Sequence, residues 1–136
     1  MKKTEEKIRL SVILDKEYVD NINEIVNNNE LATLKLTPSF LIEIGFNLLC
    51  DKLIVNANLL DEEKELISDK QNPTRFAPSI YKTTKKEMQK LASNNKFRMF
   101  ILTEIIINLF IKELETSTIE ELTLKYLTNT IGDNDE

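Results

Sequence analysis

Apolar and polar positions first alternate at the start of the chain. Ile8, Leu10, Val12 and Leu14 are interleaved with Lys7, Arg9, Ser11 and Ile13, the period of two that predicts a strand with one buried face. Asp15 follows as a helix N-cap in Asp15-Lys16-Glu17-Tyr18. Tyr18, Ile22, Ile25 and Val26 then fall on one helical face, and Asn27-Asn28-Asn29 ends that helix. Thr37-Pro38-Ser39 opens a second helix, with Thr37 as cap and Pro38 in the first turn, where its missing N–H costs nothing. From Phe40 to Ile54 the apolar residues cover almost the whole circumference. A helix of this kind needs burial on most sides, which one strand and one amphipathic helix cannot supply. A second copy of the unit is required, from this chain or from another.

Leu59 to Lys70 reads as a short, acidic, exposed helix, and Gln71-Asn72-Pro73-Thr74 as a boundary. Arg75 to Tyr81 can be extended, with Pro78 confining it to an edge or spoiling it as a strand. Thr83 or Thr84 caps a helix carrying Met88, Leu91 and Ala92, which Asn94-Asn95 breaks. Phe100 to Leu114 is again apolar nearly all round. Ser117-Thr118-Ile119-Glu120 reads as a capping box before a last amphipathic helix with Ile119, Leu122, Tyr126 and Leu127; Gly132 to Glu136 reads as a frayed acidic end.

The two halves therefore echo each other: extended segment, amphipathic helix, Asn run, apolar helix. Glu43-Ile44-Gly45-Phe46-Asn47-Leu48-Leu49 aligns with Glu104-Ile105-Ile106-Ile107-Asn108-Leu109-Phe110. The predicted division is a unit over 7–54, an acidic linker over 55–73, a second and degenerate unit over 74–115, and a terminal helix over 116–131.

Composition narrows the chemistry. The 136 residues are 41% hydrophobic, with only two Gly and three Pro, which favours helices over a turn-rich β fold. There is no histidine and one cysteine, so Ser-His-Asp and Cys-His catalysis are absent, and neither a metal site nor a cofactor is expected. The many carboxylates are expected on solvated helical faces, and Cys50 as a buried small hydrophobe. No catalytic constellation is left to support an enzyme. Met99 to Ile111 is too short to span a bilayer and is interrupted by Glu104 and Asn108. With a Lys/Glu-rich beginning in place of a secretory leader, a cytoplasmic protein without membrane contact is expected.

The net charge of −5 disfavours a polyanionic partner, but its distribution does not. Lys70 to Arg98 holds eight cations and one acid, Glu87, a local balance of +7. The acids gather in Asp61-Glu62-Glu63-Lys64-Glu65 and in the tail after Lys112.

The run Arg9-Leu10-Ser11-Val12-Ile13-Leu14-Asp15-Lys16-Glu17-Tyr18 resembles the opening of the ribbon-helix-helix (MetJ/Arc/CopG-like) superfamily. The resemblance covers residues 7 to about 53 and, more weakly, 74 to 114. It implies a mainly α fold with a short β-ribbon, here in tandem with pseudo-two-fold symmetry, plus a C-terminal helix. It also implies pairing of two strands into an antiparallel ribbon that enters the major groove of double-stranded DNA. The pairing can lie within the chain or in a homodimer. By this resemblance Arg9, Ser11 and Ile13 are the base-reading positions, although Ile13 departs from the polar residue usual in the family and suits a thymine methyl. Thr37 and Ser39, at the start of the second helix, would hold a phosphate, with Lys35 near enough to help, and Lys7 is a further phosphate position. In the second half Arg75, Ser79, Lys82, Lys85 and Lys86 could follow phosphates.

The function implied is a transcriptional repressor or plasmid-type regulator. Plasmid partition and relaxosome accessory roles remain open, with the acidic final helix as a docking surface for a protein partner. The alternative is a protein–protein adaptor on the same fold with DNA binding lost, which the net charge, Ile13 and Pro78 favour.

Overall fold

The computed structural model describes residues 6–28, 36–67 and 71–134, and the side chains of the last helix as far as Thr128. It is mainly helical with a small antiparallel β component. The order is β1 (Lys7–Arg9), β2 (Val12–Asp15), α1 (Lys16–Asn28), α2 (Pro38–Val55), α3 (Leu59–Lys64), β3 (Pro73–Phe76), β4 (Ser79–Tyr81), α4 (Lys82–Asn94), α5 (Met99–Glu113) and α6 (Ile119–Asn134). Among the described residues no helix is long and apolar enough to cross a membrane.

The strands pair across the halves of the chain. β1 lies antiparallel to β4, with Arg9 opposite Ser79, and β2 antiparallel to β3, with Val12 opposite Phe76. Moving from one ladder to the other advances three residues on each side, so both share one register and form a single ribbon. Its interruption is explained by Pro78. The Leu10 amide donates to the Pro78 carbonyl at 2.8 Å, but proline has no N–H to complete the pair. Pro78 therefore removes one bond without ending the ribbon, whereas the sequence suggested that it could spoil the second strand. A two-stranded ribbon is all edge, where proline is tolerated. The ladder runs on at both ends, where the Lys82 amide donates to the Glu6 carbonyl at 2.9 Å and the Lys16 amide to that of Asn72 at 2.8 Å.

The inward row of the ribbon, Leu10, Val12, Leu14, Phe76 and Ile80, is buried in one core shared by both halves. At its centre α2 packs on α5. This pairing answers the demand of two helices that are apolar all round. They meet where Gly45 faces Ile106, the residue aligned with it in the repeat. A Cβ at Gly45 would stand 2.6 Å from Ile106 Cγ2. Absence of a side chain on one helix makes room for a branched one on the other.

Several local expectations need correction. Cys50 is exposed, and Ile54 and Val55 are 84% and 88% exposed, because the last turns of α2 run past the elements that cover its middle. α3 is shorter than expected and only partly exposed: Leu60 and Glu63 are buried, and Glu63 pairs with Lys112 at 2.7 Å. The capping box lies one residue later than expected. Thr118 Oγ1 accepts from the Glu121 amide at 3.1 Å, and Glu121 Oε1 accepts from the Thr118 amide at 2.8 Å. α6 then continues to Asn134, beyond the expected start of fraying. It packs on α2, with the Tyr126 ring edge-on to Phe40 at 5.7 Å.

Gly45→Ala should destabilise the protein by about 1–3 kcal/mol despite the better helix propensity of alanine, because Ile106 is buried and stiff at χ1. Adding Ile106→Ala should cost less than the sum of the single changes in urea titrations. Because the ribbon and core close within one chain, the urea midpoint should not shift with protein concentration.

Candidate nucleic-acid interface

The register that buries one row of the ribbon turns the other row outward. From one end to the other, the outward pairs are Lys7 with Tyr81, Arg9 with Ser79, Ser11 with Ala77, and Ile13 with Arg75. Lys7, Arg9, Ser11, Ile13 and Arg75 are exposed, and Ala77, Ser79 and Tyr81 are half-buried. Ile13 is 46% exposed, a β-branched apolar residue on a mainly polar face. Neither Arg9 nor Arg75 makes an ion pair with the described residues. Small side chains, Ser11 and Ala77, occupy the middle, so the ribbon backbone is accessible there to a close partner.

The ribbon ends are held by carboxylates from the opposite half. Glu43, on α2, is 6% exposed and receives the Tyr81 amide on Oε2 at 2.8 Å and the Thr84 hydroxyl on Oε1 at 2.6 Å. Glu104, aligned with Glu43 in the repeat, is 1% exposed and receives the Asp15 amide on Oε2 at 3.2 Å. Tyr81 and Asp15 are the matching residues where each strand turns into its helix. The two glutamates thus cap the strand–helix junctions reciprocally. For Glu43 and Glu104 this overturns the expectation of a solvated carboxylate, which most of the other described acids meet, and Tyr81 stands at the cap position of α4 in place of Thr83 or Thr84. Thr84 donates its hydroxyl to Glu43, and the hydrogen bonds from the junction offset the burial of the acid. A further tie runs from Asn108 Nδ2 to the Tyr18 hydroxyl at 3.3 Å, and burial pushes the Tyr18 phenol above its ordinary pKa.

Asp15 closes the other side of its junction. Its Oδ2 receives the Gln71 amide at 3.1 Å and its Oδ1 the Glu17 amide at 3.5 Å. These backbone donors, Gln71 foremost, hold its carboxyl below the usual aspartate value.

The remaining site residues divide. Lys82 and Lys86 are exposed on the first turns of α4. Lys85 Nζ donates to the Arg9 carbonyl at 2.9 Å, which brings that helix start against the ribbon. Lys7 Nζ sits 5.0 Å from the Tyr81 ring centroid. Thr37 caps α2, its Oγ1 accepting from the Phe40 amide at 3.1 Å, and Ser39 is half-buried in the first turn. Lys35 lies outside the described residues. Ala77 joins Arg9 and Ser11 on the outward row, as do Arg75 and Ser79, although Arg75 and Ser79 were expected along phosphates. The alternation Arg75, Ala77, Ser79, Tyr81 carries the signal for this row, which the weight given to Pro78 as a strand breaker obscured. Exposed Arg98, preceding α5 as Thr37 precedes α2, was also missed; the repeat alignment carries that signal.

Cys50 offers no nucleophile at neutral pH. Partial desolvation, with the nearby charges of Glu87 and Asp51, pushes its thiol up to about 11. Among the described residues no cluster of His, Cys, Asp or Glu is arranged to hold a metal ion. Comparison of the chain with protein-family models, curated proteins and solved structures finds no match in any of the three.

Replacing either junction carboxylate by its amide should reveal the capping role. Glu43→Gln and Glu104→Gln each turn an acceptor oxygen into a donor facing a buried amide or hydroxyl. Each should lower the urea-derived stability by about 1–3 kcal/mol, against roughly 0.5 kcal/mol or less for a solvated surface glutamate.

Proposed function

We propose that this chain is a DNA-binding regulator on a ribbon-helix-helix-like fold, with both units in one polypeptide, and that it lays its ribbon in the major groove. The observation that carries this reading is the outward row itself. One continuous antiparallel ribbon presents Arg9, Ser11, Ile13, Arg75, Ala77 and Ser79 on a single side, over a buried row that anchors it. The major groove is wide enough for a two-stranded ribbon, and arginine on guanine O6/N7 is its commonest specific contact. Lys82, Lys86 and Arg98 are exposed cations suited to phosphates, and the ends of α2 and α5 follow the same logic. A repressor or plasmid-type regulator is the role proposed, and partition and relaxosome accessory proteins would use the same surface.

Adaptor function with DNA binding lost is the second reading. It is favoured by the net charge of −5 and by Ile13, which places an apolar side chain among the would-be base-reading positions.

Duplex titration separates the two. With a duplex that includes the promoter region of its own gene, binding should weaken steeply as salt rises, since released counterions drive it. Arg9→Ala should remove most of the affinity. Absence of binding at low salt would leave the adaptor reading standing and end the regulator reading.

A further inference from the structure

The two ends of the ribbon carry different chemistry. At one end, Arg9 stands opposite Ser79 and Lys7 opposite Tyr81. The helix that starts there bears Lys82, Lys85 and Lys86, with Lys85 bonded to the Arg9 carbonyl. At the other end, Arg75 stands opposite Ile13. The helix that starts there bears Lys16, Glu17 and Asp20, and Lys16 is neutralised by Asp20 at 2.7 Å. Each end thus has one arginine. One pairs it with a hydroxyl beside the exposed Lys82 and Lys86, the other with an apolar side chain beside the exposed Glu17 and the Lys16–Asp20 pair. In a homodimer a two-fold axis would make the ends identical. Here both strands belong to one chain and differ in sequence.

Resting on the DNA-binding reading above, we infer that this chain recognises an imperfect inverted repeat and binds it in one fixed orientation. The site has a strongly phosphate-anchored arm under Arg9, Ser79 and the α4 lysines, and a thymine-containing arm under Arg75 and Ile13. Arg9 and Arg75 stand four residues apart along the ribbon, about 13 Å at strand rise. That spans about four base-pair steps of 3.4 Å. The two guanines they read are therefore separated by that interval and lie on opposite strands. Ser11 and Ala77, too small to reach far, sit over the centre. Ile13 selects a thymine methyl beside the guanine of its arm, whereas Ser79 in the matching position accepts several base edges. The acids of α1 weaken phosphate contact on that arm, so the energetic weight of the backbone lies on the other.

Selection of bound duplexes from a random pool, using the full chain, tests this directly. The motif should hold two G·C pairs about four steps apart, with a thymine preference on one arm only. Arg9→Ala should erase about 5- to 150-fold of discrimination at one G·C pair and leave the other, with Arg75→Ala doing the reverse. Ile13→Ser, at an exposed position, should abolish the thymine preference. Neutral methylphosphonates should weaken binding far more in the Arg9 arm than in the Arg75 arm. A perfect palindrome with equally sensitive arms, or binding without sequence preference, would overturn the inference while leaving DNA binding intact. Failure to retain any duplex at low salt would overturn the DNA-binding reading first and this inference with it.

Discussion

Everything in this molecule depends on the contact between α2 and α5. Both helices are apolar around most of their circumference, so neither has a face that water can stabilise at its middle. Each is the other's main partner, and their close crossing at Gly45 and Ile106 sets the distance between the two halves. Once the helices lie together, the amphipathic α1 and α4 can cover them, and the inward row of the ribbon seals the remaining side. The hydrophobic demand of two segments is thus the reason that residues far apart in the chain form one core.

The polar interactions at the ribbon depend on that packing. Glu43 and Glu104 emerge from the buried helices and reach the strand–helix junctions of the opposite half. They are isolated carboxylates in an apolar setting unless the opposite junction supplies amide and hydroxyl donors. The same bonds hold the two ends of the ribbon against the core. An outward row with defined geometry results, which reduces the ordering cost of binding any rigid partner.

With both strands of the ribbon in one chain, its two ends need not be alike. A two-fold dimer must present each outward residue twice. A single chain can carry an arginine in both matching positions while their neighbours differ, as Ile13 and Ser79 do, and as the first turns of α1 and α4 do. Asymmetry of this kind costs the core little, because the outward positions and the first helical turns are mostly exposed while the buried rows remain apolar on both strands.

Much of this was legible in the sequence, because it depends on local periodicity. The strand at 7–14, the caps at Asp15 and Thr37, the amphipathic helices and the two helices needing burial all come from patterns that one segment expresses by itself. The repeat around Glu43 and Glu104 was visible too, but not its meaning. A glutamate in a helix reads as solvated until the donors that its carboxyl oxygens accept from are located, and those donors lie in the other half of the chain. The tertiary structure alone decided that the first strand pairs with residues 73–81, that Pro78 removes a bond without breaking the ribbon, and that Arg75 and Ser79 share a face with Arg9. Cys50, Ile54 and Val55 depended equally on which part of α2 its neighbours cover. Periodicity states which side of a segment avoids water. Which distant segment supplies the cover, and in what register, is set by the packing of α2 on α5 and the pairing of the ribbon.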